Sequence, residues 1–350
     1  MTFAAEKLVD WATAASVGRR VAGKGTVLSA LERAQLVEDF AEVVPQAEAA
    51  VEQLTGLAPN GYRSRPWVMT RDQWLRANLR GFEQMLEPFA KKLTEGHPDG
   101  AMANARRHVL GAQVGGLMGY LGHRVFGQYD MFLPPDDDGL IYFIGANVAG
   151  IERKYDFPPR EFRMWISLHE VTHRLQFGGV PWLRGFLAGS MERYLSSLEL
   201  DPKWLMDRLR GAIGEVRGGG ADYHGLGWVF LLMTPEQRRM VRQMQATMSL
   251  LEGHANFAMN AAAGALVPSA ARFRKTLHDR RNRSSIERAF HKLIGFDVKI
   301  RQYEVGERFV ARAVDMVGME AFNRVWRGVE TLPTLEEIGR PESWVARVAA

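Results

Sequence analysis

Residues 156–179 read Asp-Phe-Pro-Pro-Arg-Glu-Phe-Arg-Met-Trp-Ile-Ser-Leu-His-Glu-Val-Thr-His-Arg-Leu-Gln-Phe-Gly-Gly. A residue before proline avoids the α region, so the spacing predicts a helix that begins at about Pro159, and Gly178-Gly179 supplies a left-handed stop. Met164, Leu168, Val171 and Leu175 step by four, three and four along one stripe. Phe162, Trp165/Ile166, His169, Thr172/His173 and Gln176 form a second face beside it. That pattern describes a buried helix that turns two histidines toward a cleft.

His169-Glu170-x-x-His173 has a mechanical logic. Imidazoles four residues apart on a helix project from the same side, about 5–6 Å apart at Cβ, and both can reach one tetrahedral zinc ion. Glu170 is rotated by about 100° from its neighbour and is placed to act on water at the metal rather than to ligate. It is the expected general base. A catalytic zinc takes three protein ligands, so a third must lie downstream. The metzincin extension requires Gly at 176 and His at 179; the chain has Gln176 and Gly179, which excludes that subclass.

The remaining solution is a carboxylate on another helix. Thr234-Pro-Glu-Gln237 is a strong helix start, and the pattern beyond it carries Met244, Met248, Leu251, Ala255 and Met259 on one face. Glu252 stands against that core-facing stripe, where a carboxylate is costly unless something such as a metal compensates it. We expect Glu252 as third ligand, with Glu199, Asp222 and Glu304 as competitors. Asn256, one turn on, is a candidate to orient the first histidine, and Gly253 permits close approach of another backbone. His254 points about 200° from Glu252 and reads as a core or rim histidine. Candidates to stabilise an oxyanion are Tyr223 and His224, in the Gly-rich loop 218–225, and Tyr303.

Working outward, the first 125 or so residues read as helices. Ser29-Ala-Leu-Glu32 and Thr70-Arg-Asp-Gln73 are capping boxes, and Pro45 is expected to kink or end the first of these helices. Gly111, Gly115 and Gly119 recur every four residues and predict tight helix packing. At Tyr129–Gly139 the texture changes to a turn-rich loop, whose Asp136–Asp138 reads as a solvated turn. Leu140-Ile-Tyr-Phe-Ile144 then reads as a strand, with Met131–Leu133 as its hairpin partner and an edge that an extended peptide could join. The expected organisation is an N-terminal helical region over 1–128 and a catalytic region over 129–350, mainly α with a small sheet or hairpin.

Composition narrows the chemistry. The 350 residues contain no cysteine, which excludes thiol catalysis, Cys-ligated zinc and iron–sulfur clusters, and leaves nine histidines with the carboxylates for any metal. The net charge of +5, from 45 basic and 40 acidic residues, is too dilute to imply nucleic acid or an anionic membrane. The basic run from Arg272 to Arg283 has Asp279 within it and reads as a solvated helix face. The first residues lack the apolar stretch of a signal peptide, so the cytoplasm is the expected location.

Several stretches together resemble the bacterial zincin-like metallopeptidase family: His169–Phe177 with Pro181-Trp-Leu183, Leu251-Glu-Gly-His-Ala-Asn-Phe257, Gly127-Gln-Tyr-Asp130, and Leu332–Ile338 with Pro341 and Trp344. The likeness spans nearly the whole chain, from Val9-Asp10-Trp11 onward. It is greatest to the branch associated with biosynthesis of the deazaflavin coenzyme F-420. The resemblance implies a zincin-like fold, zinc held by His169, His173 and Glu252, and Glu170 as base. The expected activity is hydrolysis of a peptide or small amide. Rival readings are a non-enzymatic protein that keeps the metal as a staple, and hydrolysis of a non-peptide amide in deazaflavin metabolism.

Overall fold

A computed structural model gives the conformation of residues 8–59, 61–94, 101–129, 139–197, 233–283 and 297–349. They form a mainly helical protein with one small sheet. The chain divides into two compact units, Met1–Ala49 with Pro59–Arg174 and Ala50–Ala58 with Leu175–Ala350. Residues 1–128 and 129–350 are tied together by the sheet, in which a strand from before that point pairs with a strand from after it.

In the first unit, α1 (Trp11–Ala22) is capped by the Asp10 carboxylate, which accepts from the Thr13 N–H at 2.8 Å. It packs on α4 (Ala101–Gly122) through the glycine ladder. A Cβ on Gly111, Gly115 or Gly119 would stand 2.4, 2.3 or 2.6 Å from the carbonyl oxygens of Asp10, Ala14 and Gly18. The ladder therefore brings two backbones together.

Helix α2 (Ala30–Thr55) starts at the Ser29/Glu32 box but does not stop at Pro45, which lies inside it. Phe40, Val43, Val44 and Ala47 flank the proline and are all 0% exposed. Burial of each of the phenylalanine and valine side chains contributes about 1.5–3 kcal/mol, so together they outweigh the roughly 3 kcal/mol cost of an interior proline.

The sheet has the order β1–β3–β2. Strand β1 (Arg65–Met69) runs parallel to β3 (Leu140–Ile144), with Arg65 opposite Leu140 and Met69 opposite Ile144. Strand β2 (Gly127–Tyr129) is antiparallel to β3, with Gly127 opposite Phe143. Residues 140–144 are thus a strand as expected, but a central one, which explains why Ile141, Tyr142, Phe143 and Ile144 are all buried. The expected partner Met131–Leu133 lies outside the described residues. Helix α3 (Arg71–Thr94) follows the Thr70/Gln73 box and buries Trp74, Leu75 and Leu79. Helices α5 (Gly145–Tyr155) and α6 (Pro159–Gly179) follow β3.

Buried ions anchor α6 in this unit. The Arg163 guanidinium donates to both oxygens of Glu152 on α5, at 2.9 Å each, and to Asp39 on α2. The Arg163 and Glu152 side chains are 8% and 6% exposed.

The second unit contains α7 (Leu183–Ser196), α8 (Pro235–Leu266), α9 (Ala270–Arg283), α10 (Asp297–Phe322, broken at Gly318), α11 (Leu335–Gly339) and α12 (Pro341–Trp344). The capping box of Thr234 and Gln237 starts α8 as expected. Helices α8 and α10 cross backbone to backbone: a Cβ on Gly253 would stand 2.2 Å from the Gly306 carbonyl carbon. Phe309, Phe322 and Trp344 pack beside this crossing, and the Trp344 indole donates to the Thr331 carbonyl at 2.9 Å. Among the described residues, no helix is long and apolar enough to cross a membrane.

The buried and surface ion pairs differ in weight. Arg163→Met strands two carboxylates and should lower unfolding stability by about 3–5 kcal/mol in denaturant titrations. Arg160→Met removes a pair with Glu42 whose side chains are 57% and 55% exposed, and should cost no more than about 1 kcal/mol.

Candidate metal centre

Helix α6 begins at Pro159 as expected, but Gly178 and Gly179 do not supply the expected left-handed stop: both are helical, and Gly179 instead makes room for the Ala58 carbonyl, 2.8 Å from where a Cβ would stand. The core stripe is tightly sealed: Leu168, Val171 and Leu175 are 0% exposed. This leaves His169 and His173 half-buried beside the stripe. Their rings stand at 89° with centroids 4.8 Å apart, and the two Nε2 atoms are 3.2 Å apart. Two nitrogens about 2.0–2.1 Å from a single ion at the tetrahedral angle lie about 3.3–3.4 Å apart, so the pair is set for one zinc ion.

Glu252 on α8 supplies the third donor. One ligand atom each from His169, His173 and Glu252 can be chosen so that all lie within 4.8 Å of one another. Two imidazoles and a carboxylate are the donor set of a catalytic rather than a structural zinc, with a coordination position left for water or substrate. The site therefore fits the ion by both spacing and chemistry.

Glu170 points elsewhere, as its rotation on the helix demands. It is only 9% exposed, and its Oε2 accepts from the Tyr129 N–H at 3.1 Å. The origin of this contact lies in the sheet register. Ile144 N–H donates to the Phe126 carbonyl at 2.9 Å, so the hydrogen-bonded pairs of β2 and β3 are residues 126 and 144, then 128 and 142. Gly127 and Tyr129 consequently turn their main-chain groups away from β3, toward α6. Glu170 takes one of them. Gly127 makes room for it: a Cβ there would stand 2.5 Å from Glu170 Cγ and 3.0 Å from Oε1. The strand is pinned in turn by Gln128, which accepts from the Trp74 indole at 2.6 Å and donates to Asn78 at 3.0 Å.

The expected peptide-pairing edge on Leu140–Ile144 is not available. Strand β3 has β1 on one side and β2 on the other, and the strand facing α6 is β2. The edge was misassigned because only residues 140–144 carry a β-rich pattern, whereas β2 is three residues long and β1 contains Pro66.

The other candidates fall out as follows. His254 is a core residue, 0% exposed, stacked on Phe322 with centroids 5.9 Å apart and hydrogen-bonded to Gln176 at 3.0 Å. Asn256 is half-buried one turn beyond Glu252. Tyr303 lies on α10, with its side chain outside the described set, as is that of Glu304. Tyr223, His224, Glu199 and Asp222 lie outside the described residues. Sequence reasoning did not give Gly127, the Tyr129 amide or Gln176 any part in the site; the signal for Gly127 was a glycine immediately before a stretch that reads only weakly as strand.

Two helices offering a His-Glu-x-x-His pair and a distal glutamate define a zincin-type centre. The chain belongs to the zincin-like metallopeptidase family, whose model matches residues 9–345. A protein from Chloroflexus aurantiacus, described from its crystal structure as a proposed hydrolase with a novel fold, is 30% identical. The match covers 97% of this chain and 98% of that one, with a TM-score of 0.72. No curated protein matches the chain. The branch associated with coenzyme F-420 is not distinguished by these comparisons. Family, relative and donor set together support a metallohydrolase.

Gly127→Ala should push the Glu170 carboxylate off the Tyr129 amide. We expect unchanged zinc content by elemental analysis and turnover lowered about 10²-fold, the scale of a 1 Å misplacement of a reacting group.

Proposed function

We propose that the protein is a zinc-dependent peptidase in which Glu170 is the general base. The observation that supports this reading most directly is the separate seating of the Glu170 carboxylate, on a strand amide, one residue along α6 from the first of three donors suited to one ion. A structural staple has no use for a buried carboxylate adjacent to its ligands and held apart from them.

His169, His173 and Glu252 would hold the zinc, which when bound would supply Lewis acidity toward a carbonyl and lower the pKa of water toward about 7. The remaining work belongs to the chain. Glu170 removes a proton from the attacking water and returns it to the leaving amine nitrogen as the C–N bond breaks. The Tyr129 N–H holds one carboxylate oxygen on β2 and so fixes which oxygen is presented. The small residue at 127 lets the carboxylate sit flush against β2. An extended peptide aligns along the outward main-chain groups of β2, and its register is set by Gly127 because Glu170 already uses the Tyr129 amide. Donors to the oxyanion are sought among Tyr223, His224 and Tyr303. Neither nucleic acid nor a membrane is a proposed partner, and the proposed location is the cytoplasm.

Zinc content and peptide-library cleavage test the proposal together. Wild-type protein should carry about one zinc per chain and lose cleavage on chelation. Glu170→Gln should retain the metal and lose about 10²–10⁴-fold in turnover. Glu252→Ala should lose the metal. Metal-loaded protein that leaves every peptide intact and hydrolyses a non-peptide amide would refute the peptidase assignment while sparing the metal centre. A water-free coordination sphere in the cobalt-substituted protein would instead identify a staple.

A further inference from the structure

A metal held by residues on two helices requires the helices to keep a fixed register, and apolar packing alone sets register weakly because it is non-directional. A directional contact that joins these helices is made by Gln176, one turn beyond His173 on α6 and 0% exposed. Its Nε2 lies 3.0 Å from the Leu251 carbonyl oxygen and 3.0 Å from His254 Nδ1, both on α8. A carbonyl can only accept, so the amide must present its NH₂ group there, and its two hydrogens serve the two partners. His254 Nδ1 is therefore an acceptor, which fixes the neutral tautomer that carries its proton on Nε2.

These two partners bracket the metal ligand. Leu251 immediately precedes Glu252, and His254 lies two residues after it. His254 is itself immobilised, stacked on Phe322 with an interplanar angle of 13° and met edge-on by Trp326 at 5.3 Å between centroids. Gly253, between the ligand and His254, lies against the Gly306 backbone. The main chain on either side of Glu252 is thus held by α6 from one direction and by α10 from another.

We propose that Gln176 is a positioning residue for the third metal ligand: its amide sets the register at which the Glu252 carboxylate meets His169 and His173. The residue that excludes the metzincin extension is, on this view, the one that couples the ligand helices. The inference rests on the metal centre proposed above. It does not rest on the peptidase reading, since its readout is metal affinity. The Leu251 carbonyl sits inside α8 and keeps its intrahelical bond when the Gln176 amide is removed, so loss of the clamp need not unravel the helix.

The test is a zinc competition titration on apo-protein, with circular dichroism to confirm folding. Gln176→Met preserves volume and removes both donors, and should weaken zinc binding about 10–100-fold, the range for residues that orient metal ligands. His254→Phe keeps the stack and leaves the bond to Leu251, and should weaken it less; the double variant should be no weaker than Gln176→Met. The decisive arm is the same substitution in a Glu252→Ala background. A clamp that acts through Glu252 has nothing left to position, so Gln176→Met should leave the residual two-histidine affinity unchanged. Affinity within twofold of wild type for both Gln176→Met and His254→Phe overturns the proposal. An equal loss with and without Glu252 also overturns it, because it assigns Gln176 to the general fold. Should Gln176→Met fail to fold, His254→Phe with and without Glu252 decides by the same comparison. Wild-type affinity no better than that of His169→Ala overturns the metal centre and the clamp with it.

Discussion

Two imidazole nitrogens 3.2 Å apart set the tolerance for everything else in this protein. A zinc ion accepts donors on a sphere of about 2 Å radius, so a third ligand on another helix must arrive within a few tenths of an ångström. Apolar packing cannot deliver that alone, and the structure adds directional or incompressible contacts wherever the tolerance is tight. The Arg163–Glu152–Asp39 cluster anchors the start of α6, and the Gln176 amide grips α8 beside Glu252.

Glycines serve the same end by a different route. At Gly253 and Gly306 the absence of side chains lets two helices touch through their backbones, next to the ligand. Gly127 uses the same absence to admit a carboxylate instead of a helix. Backbone contacts of this kind have no rotamers, so the positions they define vary little with side-chain motion. The α1–α4 ladder is the larger version, far from the chemistry in sequence and purely architectural.

How much of this was readable in advance follows from the range of each signal. The bounds of α6, the boxes at Ser29, Thr70 and Thr234, and the grouping of His169, His173 and Glu252 are local or helical patterns, and these were found. Pro45 does not end α2 because its local penalty is outweighed by burial on both sides of it. The sheet was the weak point. Strand β1 pairs with β3 across most of the first unit, and β2 is too short to announce itself, so neither the parallel pairing nor the strand that seats Glu170 could be read from alternation. Gln176 shows in the sequence as a member of the histidine face and as the residue that excludes the metzincin extension, but its grip on α8 does not show, because that helix is distant in sequence.

The sheet order has a consequence for the order of assembly. Strands β2 and β3 are near in sequence and α6 follows soon after, so the Tyr129 amide and the helix that carries Glu170 can meet through contacts of short range. Arg65 reaches Leu140 only by closing a loop over two intervening helices, a step slowed by its loop entropy. Glu252 lies further still along the chain from His169 and His173. The seat of the Glu170 carboxylate is therefore a local product of the chain, whereas the grouping of the three donors waits on its longest closures.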